Sequence, residues 1–407
     1  MPKHALIIYS GGLDTTVCIP LMREQGFDQI STVTVDVGQP ASDIEQATAR
    51  AKDLGCSHHV ADVKALFASD YCIPALKANA DYFGYPVSTA IARPLIAKEA
   101  ALLGKSLGVD AFVHGCTGKG NDQFRIEFGL RVFAPDVPVL APIREMNLTR
   151  SWEIEYAEKH GLPIGQSKEK IWSIDENLWG RSIEGGRLEE PDYEPPEEIF
   201  QWTKPLEDAP NEPEIVEIEF EAGVPVDLRP SAIGARPSPF DIISSANALA
   251  GNHGVGRIDI MEDRMIGLKV RENYECPGAV LLIAAHSALE PLVMTHAERG
   301  FKAQVDAQWA ELAYKGLWWD PLMEDLNAFI DSVQHRVTGV VRLRLFKGSV
   351  HVVGRTSPWA LYSEAAASFD DKVELEQSLM SGMVQTHGME SLLYARLSRN
   401  LTDRTNA

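Results

Sequence analysis

The segment that most narrows the fold is residues 5–16, where the apolar run Ala5-Leu6-Ile7-Ile8-Tyr9 enters Ser10-Gly11-Gly12-Leu13-Asp14-Thr15-Thr16 with no spacer. A continuous apolar run reads as a strand buried on both faces, as in a parallel sheet with helices on each side. The glycines let backbone approach a ligand. A helix expected from about Thr15 to Gln25, kinked at Pro20, aims its first N–H groups and its dipole at the same point. Such a turn favours an anion. Ser10 and Thr15 add hydroxyl donors, and Asp14 stands where it can cap the helix. The pattern is neither GxxxxGK[ST], since no Lys follows, nor GxGxxG.

Strand and helix signals then alternate to about residue 140. Ser31 to Val37 is rich in Val and Thr and reads as a strand. Ser42-x-x-Glu45 reads as a capping box, opening a helix with Ile44, Ala47, Ala51 and Leu54 on one face and Gly55 past its end. Cys56 to Ala61 reads as a strand, Ile91 to Leu107 as an apolar-striped helix ending at Gly108, and Ala111 to His114 as a short strand. This alternation predicts an α/β, doubly wound parallel sheet of the Rossmann-like kind, with ligands beyond the carboxyl ends of its strands. The rule selects residues 10–15 and 114–122. The second of these loops, His114-Gly115-Cys116-Thr117-Gly118-Lys119-Gly120-Asn121-Asp122-Gln123-Phe124-Arg125, reads equally well by itself as an exposed polar turn. Beside the first loop, a bipartite small-molecule site is the better reading.

Near residue 165 the pattern changes. Residues 189–214 carry six prolines among many acidic residues and predict a polar excursion. Val216, Ile218 and Phe220 alternate with Glu217, Glu219 and Glu221, as a half-buried strand does. Val341, Leu343 and Leu345 repeat the pattern ahead of a hairpin turn at Lys347-Gly348-Ser349. The expected division is a nucleotide-binding domain over 1–165, an α+β second domain over 166–360 and a C-terminal helical tail over 361–407. In the tail, Met389, Leu392, Leu393 and Leu397 form a stripe that packs on its own domain or reaches a second copy.

Charge excludes one class of partner. With 38 Lys+Arg against 58 Asp+Glu, the net charge is −20, which opposes a nucleic-acid groove. No apolar run approaches the roughly 18 residues of a membrane span, and the start of the chain has no leader-like pattern. The five cysteines, Cys18, Cys56, Cys72, Cys116 and Cys276, lack metal-ligand or CxxC spacing. Reduced thiols in a cytoplasmic protein are the expectation.

Ser10-Gly11-Gly12-Leu13-Asp14-Thr15 after an apolar strand resembles the pyrophosphate loop of the N-type ATP pyrophosphatase superfamily. The whole chain is similar to the argininosuccinate synthase family. That likeness rests on both loops, on Asp36-Val37-Gly38-Gln39 and Ala92-Arg93-Pro94, on Trp172-Ser173-Ile174-Asp175-Glu176-Asn177-Leu178, and on the stretch from His253 through Tyr274-Glu275. The resemblance implies a ligase that uses ATP with Mg2+ and joins citrulline to aspartate through a citrullyl-adenylate, releasing AMP and pyrophosphate. It implies contacts to ATP from Tyr9, Ser10, Gly11, Gly12, Leu13, Asp14, Thr15, Thr16, Val35 and Gly115. It implies citrulline at Tyr85, Asn121, Arg125, Ser173, Ser182, Glu262 and Tyr274, and aspartate at Thr117, Asn121 and Asp122. Arg125 suits a carboxylate because its fork gives two parallel bonds. Asp122 is the candidate for orienting or deprotonating the aspartate amine, and the magnesium ligands are open. Ala90 departs from the pattern, since many members carry a citrulline-contacting serine there. A homotetramer is a further implication. Other ATP pyrophosphatases, amidotransferase-type or tRNA-modifying, share the first loop. The former usually need an ammonia source, and no glutaminase segment is evident; the latter want a basic face. A nucleotide-sensing module would need neither the second loop nor the citrulline constellation.

Overall fold

The computed structural model describes residues 3–163, 172–230, 234, 237–367 and 376–405. The chain forms two compact units, Met1–Ala360 and Leu361–Ala407. Strands β1 (His4–Ile8), β2 (Gln29–Asp36), β3 (Ser57–Asp62), β4 (Ala111–Val113) and β5 (Val139–Leu140) make one parallel sheet in the order β3-β2-β1-β4-β5. Strand order therefore reverses between β1 and β4, and loops leaving those two strands flank the crevice.

The apolar run behaves as its sequence requires. Ala5, Leu6 and Ile7 are all fully buried because the pleat sends them to two covered faces. Leu6 joins Phe112 and Leu95, the latter on helix Ser88–Leu107, while Ala5 and Ile7 join Val17 and Cys18 of helix Leu13–Glu24. Burying a side chain the size of Leu6, Ile7 or Phe112 contributes about 1.5–3 kcal/mol relative to exposure. Pro20 lies inside helix Leu13–Glu24, and Gly108 follows helix Ser88–Leu107 with φ +64°.

Two caps differ from expectation. Helix Ala41–Asp53 begins at Pro40, whose carbonyl accepts from Asp43 N at 3.0 Å, so Ser42 already lies within the first turn and no capping box forms. Likewise Gly12 is the cap of helix Leu13–Glu24 and its carbonyl accepts from Thr16 N at 3.0 Å. Asp14 sits in the first turn, past the position from which a side chain can cap.

The second half is α+β. It adds β6 (Ser173–Asn177), β7 (Gly180–Glu184), β8 (Glu214–Glu221), β9 (Val224–Arg229), β10 (Arg257–Asp263), β11 (Lys269–Glu275), β12 (Gly339–Phe346) and β13 (Ser349–Thr356). These build two antiparallel sheets, β10-β11-β7-β6 and β13-β12-β8-β9. The alternating residues Val216, Ile218, Phe220, Val341, Leu343 and Leu345 are all fully buried. Lys347 and Gly348 both take positive φ, as a tight two-residue hairpin requires.

The proline-rich stretch forms no strand before β8, yet it is anchored. Fully buried Glu275, at the end of β11, accepts from the backbone N–H groups of Gln201, Trp202 and Thr203 at 2.9–3.0 Å and from Arg181 Nη1 at 2.9 Å. Satisfying a buried carboxylate this completely fixes the strand that carries Tyr274. Within the second unit, helix Met389–Thr405 exposes Met389, Leu392, Leu393 and Leu397. Among the described residues no helix is long and apolar enough to cross a membrane.

Candidate active site

At the end of β1 the chain turns through Ser10-Gly11-Gly12. Gly11 takes φ +77°, and a Cβ there would meet Ala47 Cα at 3.0 Å, so this turn demands glycine on two counts. Its carbonyl accepts from Arg50 Nη1 at 2.5 Å. The Ser10 hydroxyl lies 3.3 Å from Thr15 Oγ1 and accepts from Gly12 N at 3.3 Å, while Tyr9 OH pairs with Thr16 Oγ1 at 3.1 Å. Val35 is buried near the end of β2.

The two loops touch. A Cβ on Gly115 would lie 3.0 Å from both Asp14 C and Thr15 N, so only glycine lets the second loop close against the first. His114, at the base of that loop, faces Glu127, which also accepts from Arg144 Nη1 and Arg131 Nη2 at 2.5 Å each. Burial favours the neutral imidazole, but Cys116 and Glu127 outweigh it and raise His114 to about 9. The bond from His114 leads the effects that take Glu127 down to about 2.

Residues scattered from 173 to 274 meet because of strand register. Ser182 lies opposite Asp175 on β6 and opposite Tyr274 on β11, so these three share one sheet face. Period two along the strands adds Ser173 on β6, and the β10–β11 register adds Glu262. Glu262 is 5% exposed and accepts from Tyr274 OH and Tyr314 OH at 2.6 Å each. Asn121, at the start of helix Asp122–Phe133, donates to Tyr314 OH at 2.7 Å and, at 3.4 Å, to Glu262. The Tyr85 ring stacks on Tyr274 with centroids 4.3 Å apart, and its hydroxyl accepts from Thr89 N at 2.7 Å. Ser173 and Thr117 are exposed, and Ser182 is half-buried.

Arginines join the loop to this sheet. Arg125 donates from Nε to the Tyr314 carbonyl and from Nη1 to Asp122 Oδ1, both at 2.9 Å. Its Nη2 is buried and has no partner among the described residues, an arrangement that invites an anion. Arg93 binds Asp122 Oδ2 through Nε at 2.8 Å and Asp175 through Nη2. Burial works against an ionised Asp122, yet Arg93 and Arg125 hold its carboxyl below the usual carboxylate range. Such a carboxylate suits accepting from and orienting an ammonium better than removing a proton from one. Arg264 ties the Lys119 carbonyl at 3.0 Å to Glu184 at 2.6 Å and to Glu272. Among the described residues no group of three or more His, Cys, Asp or Glu could hold a metal.

Residues 4–163 match the Arginosuccinate synthase N-terminal HUP domain, and residues 172–394 match the Arginosuccinate synthase C-terminal domain. The argininosuccinate synthase of Methanocaldococcus jannaschii is 55% identical over 396 residues, 97% of this chain and 98% of its own. The chain belongs to the argininosuccinate synthase family. The synthases of Methanococcoides burtonii and Archaeoglobus fulgidus are 53% and 52% identical, covering 97% and 96% of this chain and 99% of each relative. An NH3-dependent NAD synthetase structure from Campylobacter jejuni is 13% identical, covering 40% of this chain and 65% of its own at a TM-score of 0.29, too low to argue from. Family membership makes this chain an ATP-using ligase of arginine biosynthesis, joining citrulline and aspartate.

Three residues of this constellation escaped sequence reasoning as site residues. Tyr314 ends helix His296–Tyr314 with no local motif to mark it. Arg93 and Asp175 lay in stretches that carried the family resemblance, but only the fold makes them a pair.

Proposed function

We propose that this argininosuccinate synthase activates citrulline by adenylation. The ureido oxygen attacks the α-phosphorus of ATP and pyrophosphate leaves; the aspartate amine then attacks the ureido carbon and AMP departs with that oxygen. A ureido carbon is a poor electrophile, and attaching AMP supplies a stabilised leaving group. No protein nucleophile is required, so catalysis is positioning and charge stabilisation.

Tyr9 to Thr16, Val35 and Gly115 hold ATP, with the 10–12 turn at the pyrophosphate end and magnesium arriving as MgATP. The observation that carries the reading is Arg125: a buried guanidinium nitrogen without a partner among the described residues, on a side chain fixed by Tyr314 and Asp122, in the same site as the hydrogen-bonded Glu262. Arg125 takes the citrulline carboxylate. Glu262 takes its ammonium, with Tyr85, Asn121, Ser173, Ser182 and Tyr274 around the substrate. Ala90 adds no hydroxyl, but its backbone N–H reaches Tyr85 OH at 3.4 Å. Thr117, Asn121 and Asp122 orient aspartate.

The division at 1–165, 166–360 and 361–407, a homotetramer using the exposed 389–397 stripe, and a cytoplasmic setting complete the reading. Phosphorus NMR with single omissions tests it: AMP and pyrophosphate must appear in equal amounts and only with both amino acids present. ADP and phosphate as products refute it. Sedimentation as a monomer at micromolar concentration would remove the tetramer.

A further inference from the structure

Asp175 has no part in the ligation steps above, yet a chain of ion pairs leads from it to a residue that does. It lies in the middle of β6, opposite Ser182. Its carboxylate binds Nη2 of Arg93, on helix Ser88–Leu107, a side chain only 15% exposed. Through Nε, at 2.8 Å, the same guanidinium holds Asp122 Oδ2, while Arg125 Nη1 holds the other oxygen, Oδ1, at 2.9 Å. A carboxylate gripped on each oxygen by a different guanidinium keeps one plane. Asp122 is nonetheless 28% exposed, so a ligand can still reach it.

The pair between Asp175 and Arg93 is more than a strut. The strand is already tied to that helix by Asn177, whose Nδ2 donates to the Ser88 carbonyl at 3.2 Å. Asp175 itself is 34% exposed, and a pair that wet adds little stability. Its effect is on charge. Asp122 and Asp175 balance Arg93 and Arg125, and the next carboxylate, Glu184, is bound by Arg264 at 2.6 Å. Without Asp175, two guanidinium groups would face the single carboxylate of Asp122. That net positive charge would repel an arriving ammonium, and Arg93 would lose the contact that sets its direction.

We propose that Asp175 is a positioning residue for the second amino acid: by holding Arg93 and cancelling its charge, it fixes the Asp122 carboxylate and leaves it able to take the ammonium of aspartate. The proposal rests on the reading that Asp122 orients aspartate.

Asp175→Asn keeps the shape of the side chain but removes its charge. Its KM for aspartate should rise about tenfold, while those for citrulline and MgATP each change by less than about threefold. Arg93→Lys can hold one carboxylate but not two, and should give the same split. The double variant should stay within about threefold of either single one, because both remove one link. Thermal melts confirm folding. A merely structural pair would move citrulline as well, since β6 also carries Ser173; an equal rise in both KM values overturns the proposal. A rise for Asp175→Asn without one for Arg93→Lys would make Asp175 a direct substrate contact, and overturns it too. Asp122→Asn separates the proposal from its premise. If that variant leaves the KM for aspartate within about threefold, the reading of Asp122 falls and the proposal with it. If it raises that KM about tenfold or more while Asp175→Asn and Arg93→Lys do not, the proposal falls alone. Should Asp175→Asn fail to fold, Arg93→Lys carries the same comparison.

Discussion

Arg125→Lys is the most informative perturbation of the site. The guanidinium is held in two directions, Nε to the Tyr314 carbonyl and Nη1 to Asp122, both at 2.9 Å, and its buried Nη2, without a partner among the described residues, is the nitrogen proposed for the citrulline carboxylate. A lysine ammonium is a single point at the end of a flexible stem and cannot reach Asp122, Tyr314 and a substrate carboxylate together. Each charge-assisted bond forgone is worth about 1.5–3 kcal/mol. Losing two, with partial replacement by water, amounts to about 3–4 kcal/mol, or roughly 10²–10³ in kcat/KM for citrulline. The KM for ATP should change by less than about threefold, because the 10–16 turn makes none of these bonds. The assay is steady-state pyrophosphate release with citrulline varied at saturating ATP and aspartate, with thermal melts to confirm folding. A folded Arg125→Lys enzyme within threefold of wild type for citrulline would refute the assignment.

Gly115→Ala puts a Cβ 3.0 Å from the backbone of Asp14 and Thr15; the loops must part, and the KM for ATP should rise about tenfold or more in the same assay. Tyr314→Phe removes one 2.6 Å donor from Glu262 and should raise the KM for citrulline about tenfold while leaving that for ATP unchanged. His114 holds its proton more tightly folded than unfolded, with a pKa of about 9. Its contribution is therefore complete below pH 6.5 and lost as pH rises through 9. Urea melts should show wild type losing about 2–3 kcal/mol between pH 6.5 and 9.5, a slope that His114→Gln flattens.

The sheet and both loops were legible because each depends on local pattern. The apolar run of β1 followed directly by glycines reads as a strand covered on two sides, and the glycines at 11 and 115 mark close backbone approach. The two mistaken caps show the limit of that logic. Ser42-x-x-Glu45 has the right spacing, but Pro40 starts the helix earlier, and cap motifs carry no information about where the chain enters. The citrulline constellation was available only through family resemblance. Ser173, Ser182, Glu262 and Tyr274 become neighbours through the register of four antiparallel strands, and nothing within any one strand specifies its partner. Arg93, Asp175 and Tyr314 were harder still, because their roles are defined by partners 29 to 193 residues away. Ordinary arginine, aspartate and tyrosine side chains acquire their function from those partners.

The central claim is that AMP is attached to the ureido oxygen of citrulline, and following that oxygen tests it most directly. Turnover of ureido-18O citrulline with MgATP and aspartate should place one 18O in the phosphate of each AMP, read by the isotope shift of its phosphorus resonance, and none in pyrophosphate. Label recovered in water or pyrophosphate, with unlabelled AMP, would contradict the account.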